Sequence, residues 1–185
     1  PLENSIDYGG YTVMLPFPGR HQANHAAMAV EIALILWRDY GYDIPDEAIL
    51  KGLEAARMPA RIEVLRRHPL LLLDGCHNPD GARALTETLA DAGYEGNLVA
   101  VLGVLADKNY EEMLLALEPL FEKVYTVTPA CPRAMSAAEL QQQARFHFEA
   151  EASPSVAAAI RNAVDYADEH NLAGAVICGS LYLAA

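Results

Sequence analysis

The sequence predicts an α/β protein, a mostly parallel, doubly wound sheet with helices on both faces, and three observations carry that expectation. Short continuous apolar runs, LLLLD at 70–74 foremost, read as strands buried on both faces of a parallel sheet. Helical patterns alternate with those runs, as crossover units require. The 185 residues are 52 % hydrophobic and 21 % charged, the profile of a core-rich globular chain rather than a disordered one. That length suffices for one sizeable core, or for one domain with a piece of another.

Taken in order, YTVML (11–15) alternates like a strand and stops at Pro16, Pro18 and Gly19. Helical periodicity runs from Gln22 to Tyr40, and PDEAILKGLEAAR (45–57) forms a second helix with a proline and two acids at its start. MPAR breaks the pattern, and a domain boundary is expected there, dividing residues 1–57 from 58–185. Beyond it the expected strands are RIEVL (61–65), LLLLD (70–74), NLVAVLGVL (97–105), KVYTVT (123–128), FHFEA (146–150) and GAVICG (174–179). Helices are expected over 79–92, 110–121, 136–145 and 154–170.

The net charge of −12 and pI of about 4.8 exclude a broad phosphate-tracking surface, so neither nucleic acid nor an anionic membrane is an expected partner. An anionic ligand must be met by local positive groups, and Arg57, Arg61, Arg66, Arg67 and His68 crowd one stretch that also reads as a solvated face. Three cysteines, Cys76, Cys131 and Cys178, form neither a CxxC pair nor an even disulfide set, which fits a reducing, cytoplasmic compartment. The most apolar helical run, Ala26 to Trp37, is interrupted by Glu31 and is shorter than the roughly 20 residues a bilayer span needs. No basic, cleavable N-terminal signal is present. The chain opens at Pro1 without a methionine, which reads as a fragment boundary.

Ligands of open α/β sheets sit beyond the carboxyl ends of the strands, and Asp74 to Asn78 takes that position after LLLL. Asn78 as N-cap, Pro79 at the first helical position and Asp80 in the first turn have a purely structural explanation. A cap needs neither the carboxylate of Asp74 nor the imidazole of His77, and a helix N-terminus suits phosphate or carboxylate. GSLYLA (179–184) brings Ser180 and Tyr182 to the same edge, or else its hydroxyls cap a terminal helix. GVLADKN (103–109) places Asp107 and Lys108 there too. In GRHQANHAA (19–27), His21 and His25 have i, i+4 spacing but no HExxH pattern or third ligand, so no metal site is read; Asn24 serves as a helix cap or meets a neighbouring domain. GxxxxGK[ST], GxGxxG and GxSxG are all absent, leaving what reads as half an active site.

GRHQANHAA, MPAR, DGCHNPDGA, GVLADKN and GSLYL, in that order, resemble the C-terminal part of the folylpolyglutamate synthase/dihydrofolate synthase family of the Mur ligase superfamily. The family shows HQ then NA two residues on, PGR, DGAHNP, DK after a strand, and GSLY. The resemblance spans nearly the whole chain. It implies a Rossmann-like C-terminal domain over residues 58–185, preceded over 1–57 by the tail of the central ATPase domain. The missing N-terminal P-loop domain of the same protein would complete an ATP site.

The implied reaction is cytoplasmic and belongs to folate biosynthesis and one-carbon metabolism: ATP and Mg²⁺ convert a folate or dihydropteroate carboxylate to an acyl phosphate, and L-glutamate attacks it. Phosphorylation replaces an oxide leaving group with a good one, and positive groups offset the charge build-up. By resemblance, Asp74 binds ribose or adenine, and His77 lies near the phosphates and the incoming glutamate. Arg61 contacts the nucleotide, Ser180 and Tyr182 hold glutamate, and Lys108 meets a phosphate or carboxylate. His77 and Lys108 are the catalytic candidates. Asn24 is the candidate for the adenine contact, although the family asparagine aligns with His25. Ala60 replaces the glycine of PGR, so a positive φ there would be strained, and Cys76 replaces the alanine of DGAHNP, putting a thiol near the nucleotide. A monomer is expected, and the chain alone should be inactive. Two other readings are a non-catalytic adenine-nucleotide-binding module and the C-terminal domain of a cell-wall Mur ligase.

Overall fold

A computed structural model describes Leu2 and residues 4–184. The chain divides into two compact units, Pro1–Met58 and Pro59–Ala185.

In the first unit, β1 (Asn4–Tyr8) and β2 (Tyr11–Leu15) form an antiparallel hairpin, where the sequence pattern showed only the second strand. NSIDY carries a single aliphatic residue, and its pairing is set by Gly9 and Gly10, whose φ values of 58° and 89° make the two-residue turn that matches strand twist. Helices α1 (Arg20–Tyr40) and α2 (Asp46–Ala55) follow. Ile6, Val13 and Leu15 pack with Ala26, and Tyr11 with Val30 and Ile49, so one stripe of α1 lies against the hairpin and α2. The Tyr11 hydroxyl donates to Asp46 Oδ1 at 2.7 Å, fixing the start of α2.

The second unit runs β3 (Glu63–Arg67), β4 (Leu70–Leu73), α3 (Pro79–Asp91), β5 (Leu98–Leu102), α4 (Tyr110–Leu117), β6 (Phe121–Thr126), α5 (Ala137–Ala144), β7 (Glu149–Ala152), α6 (Val156–Glu169) and β8 (Gly174–Cys178), closing on a 3₁₀ turn at Leu181–Leu183. Its six strands lie in the order β3-β4-β8-β5-β6-β7. All neighbours are parallel except β3, which pairs antiparallel with β4 at the edge. The arginine-rich stretch is mostly this edge: Arg66 and Arg67 are exposed on β3, as charges that blunt an open strand usually are.

Crossovers through α3, α4 and α5 all step toward β7, while α6 steps back toward β8. With right-handed crossovers, this places α6 on the face opposite the other three. The packing agrees: Ala159, Ala163 and Ala167 of α6 seat on Val99, Val101, Tyr125, Ala175 and Ile177. Every residue of β5 and β8 is buried, as strands covered on both faces must be. Among the described residues, no helix is long and apolar enough to cross a membrane.

Candidate functional site

Strands β4, β8, β5 and β6 stand side by side, so the segments leaving their carboxyl ends meet along one edge of the sheet. Asp74 begins the first of these segments. Its amide donates to Ile177 O at 2.9 Å, extending the ladder one step beyond β4. Its carboxylate turns inward: Ile62 N–H donates to Oδ2 at 3.0 Å and Cys76 N–H to Oδ1 at 2.8 Å. Only 6 % of the residue is exposed. Burial pushes the Asp74 carboxyl above its ordinary value, and the two amides and the Arg61 charge pull it partly back.

The loop that Asp74 holds is unusual in its backbone. Ala60 and Ile62 have φ of 55° and 49°, in the left-handed region that a β-branched residue rarely enters. This is why the strand expected at 61–65 starts at Glu63 instead and leaves Arg61 in the loop. Gly75 N–H donates to Ala60 O at 2.8 Å and Ala60 N–H to Glu63 Oε2 at 3.0 Å, so the strained turn is tied on both sides. A side chain at Gly75 would lie 3.1 Å from Arg61 Nη1 and would collide with Leu181. The bare glycine therefore seats the Arg61 guanidinium beside the 3₁₀ turn.

His77 is half-buried, and its Nδ1 lies 3.0 Å from Gly75 O. A carbonyl only accepts, so Nδ1 carries the proton and Nε2 is the atom left for a ligand. Asn78 caps α3, accepting Gly81 N–H at 2.7 Å, with Pro79 at the first position. Cys76 is a buried free thiol beside the Cys178 thiol, and that thiol–thiol hydrogen bond together with desolvation pushes it well above the ordinary range.

After β8, Gly179 (φ 102°) runs against the β5 loop so closely that a Cβ would sit 2.5 Å from Gly103 O. Ser180 is buried, and its hydroxyl accepts Tyr182 N–H at 3.2 Å, capping the 3₁₀ turn, while Tyr182 is exposed. Lys108 is half-buried at the start of α4, next to Asn109, which caps that helix. A residue that sequence reasoning missed completes the edge. Arg133, in the segment after β6, pairs with Asp107 at 2.5 Å and lies beside the Tyr182 side chain. Its one signal in the sequence was position, an arginine in a loop just after a strand of the same sheet.

The structure thus brings Arg61, Asp74, His77, Lys108, Ser180 and Tyr182 to one edge of the second unit. Asn24 belongs to the first unit, exposed in the second turn of α1, and is not a cap. The helix starts earlier than its apolar periodicity indicated, at Arg20, after Gly19 (φ 99°). His21 and His25 meet edge to face at 6.0 Å. Among the described residues, no three His, Cys, Asp or Glu side chains are grouped to hold a metal ion.

Residues 60–181 match the family described as Mur ligase, glutamate ligase domain. The chain is 34 % identical over 156 residues to a dihydrofolate synthase/folylpolyglutamate synthase of Mycobacterium tuberculosis, covering 84 % of this chain and 32 % of that protein. It therefore spans about a third of that relative's length. A solved structure of M. tuberculosis folylpolyglutamate synthase complexed with ADP and AMPPCP matches with a TM-score of 0.86 at 31 % identity, over 98 % of this chain and 43 % of that one. A bifunctional folylpolyglutamate synthase/dihydrofolate synthase solved with Mn, AMPPNP and L-glutamate matches with a TM-score of 0.71 at 32 % identity, over 95 % of this chain and 41 % of that one.

Proposed function

The chain belongs to the Mur ligase family through its glutamate ligase domain, and on that footing we propose that it is the C-terminal part of an ATP-dependent ligase that adds L-glutamate to a folate. The substrate is tetrahydrofolate, dihydropteroate or both. Residues 1–57 are then the tail of the ATPase domain, whose P-loop lies in the portion of the ligase preceding this chain. The ligase works as a cytoplasmic monomer. One observation carries the reading: the segments after β4, β8 and β5, which hold Asp74, His77, Ser180, Tyr182 and Lys108, converge on one sheet edge. Relatives solved with nucleotide, manganese and L-glutamate support it.

ATP supplies the phosphoryl group that turns the folate carboxylate into an acyl phosphate. This chain's residues bind and orient. Arg61 offers a planar fork suited to phosphate oxygens, and Lys108 a compact positive charge. His77 presents Nε2 toward the phosphates and the incoming amine, with its ring orientation set by Gly75 O. Ser180 and Tyr182 hold glutamate, and Asn24 or His25 contacts adenine. Asp74 orders the backbone, each carboxylate oxygen accepting one amide, and its remaining lone pairs serve ribose or adenine. Mg²⁺ would accompany ATP and be held largely by its phosphates, since no three His, Cys, Asp or Glu side chains are grouped among the described residues.

The test is phosphate release and glutamyl-product formation by the full-length ligase containing this chain, with tetrahydrofolate and dihydropteroate offered separately. Turnover with either, dependent on ATP and L-glutamate, is expected. Nucleotide binding with no glutamate-dependent product from either substrate would overturn the reading.

A further inference from the structure

We infer that Arg133 is a positioning residue of the glutamate pocket, acting by neutralising Asp107 beside Lys108. The inference rests on the ligase reading above and concerns a residue that lies outside every motif used for it. Asp107 directly precedes Lys108 on the β5 segment, and both amino acid and acyl phosphate arrive there as anions. An unpaired carboxylate at that place would repel them and compete for the lysine. Arg133 Nη1 lies 2.5 Å from Asp107 Oδ2. The Tyr182 side chain lies close enough to act on the same guanidinium, so Arg133 meets the segments after β5 and β8 from its own place after β6. A planar fork serves two acceptors at once, which an ammonium does less well.

The backbone around this contact is held without the side chain. Ala106 N–H donates to Arg133 O at 2.9 Å, Met135 N–H to Val104 O at 3.0 Å, and Leu105 bridges Ala134. Removing the guanidinium therefore frees a charge and leaves the loops paired. A role through Asp107 also differs in kind from direct contact with substrate. If Arg133 neutralises Asp107, its loss is repaired by removing the Asp107 charge; if Arg133 itself grips a carboxylate, it is not.

The experiment is steady-state kinetics of the full-length ligase as parent, Arg133→Met, Arg133→Lys and Arg133→Met/Asp107→Asn. One uncompensated charge at a partly exposed pocket is worth roughly a factor of ten. Arg133→Met should raise KM for L-glutamate about that much, with kcat within about threefold and KM for ATP little changed. Arg133→Lys should fall between, and the double variant should return KM to within about threefold of the parent. An active parent whose KM is unmoved by Arg133→Met, or a double variant no better than the single one, overturns the inference and leaves the ligase reading standing. A parent without glutamate-dependent turnover removes both.

Discussion

The carboxylate of Asp74 holds Ile62 in a left-handed backbone: Oδ2 accepts the Ile62 amide at 3.0 Å while φ at Ile62 is 49°. Truncating Asp74 strands two amides, those of Ile62 and Cys76, inside the protein, and each costs about 1–3 kcal/mol. Asp74→Ala should lose about 2–4 kcal/mol in urea unfolding. A loss below about 0.5 kcal/mol would show that the Pro59–Ile62 turn stands without it.

The raised pKa of Asp74 gives a pH signature of definite sign. Its folded value lies above the ordinary 3.8, with burial as the main cause, so the folded state binds the proton more tightly than the unfolded one. The stability this group contributes is full below 3.8 and is lost as pH rises through the higher folded value. Asp74→Asn has no proton to gain or lose there. The stability difference, parent minus Asp74→Asn, should therefore fall as pH rises from below 3.8 toward neutrality, measured by denaturant midpoints across pH. A difference that grows over that range would contradict the sign.

Neighbouring residues at the start of α3 should separate cap from ligand. Asn78 accepts Gly81 N–H at 2.7 Å, and Asn78→Ala should cost about 1 kcal/mol of stability. His77 makes one bond, to Gly75 O, from a half-buried position. His77→Ala should stay within about 1 kcal/mol of the parent and weaken nucleotide binding by calorimetric titration of the full-length ligase. Equal nucleotide affinity in parent and His77→Ala would reduce the corner to a helix cap.

Gly179 is where the β8 and β5 segments touch. A methyl there would lie 2.5 Å from Gly103 O and 2.8 Å from Leu102 Cδ1, at φ 102°. Gly179→Ala should destabilise by about 2–4 kcal/mol, the sum of backbone strain and overpacking. Thermal unfolding checks it, and an unchanged midpoint would mean that the two segments part easily.

Elements with a continuous apolar run were legible in the sequence because burial on both faces leaves no polar alternation, as in β5 and β8. Others depended on partners. NSIDY became β1 through the Gly9-Gly10 turn and its pairing with β2. The arginine-bearing loop displaced β3 by two residues because Asp74, twelve positions later, stabilises a backbone that local propensity disfavours. At the site, the residues that leave strand ends were found from their motifs, since position at a carboxyl end is itself a sequence pattern. Arg133 was not, because an exposed loop arginine carries no local mark, and its meaning lies in Asp107 and Tyr182. The inward turn of the Asp74 carboxylate was equally hidden, since an aspartate after a strand reads the same whether it faces a ligand or the chain.

Strand β8, the last of the six to be made, stands in the middle of the sheet between β4 and β5. A chain still on the ribosome therefore holds two disconnected pieces, the β3-β4 hairpin and the β5-β6-β7 strip, each with an apolar edge awaiting the same five residues. Ser180 and Tyr182 emerge only after that insertion strand. Translation that stops early thus yields chains needing chaperone protection and holding no partial site, whereas completed chains gain the sheet and its ligand-facing edge in one step.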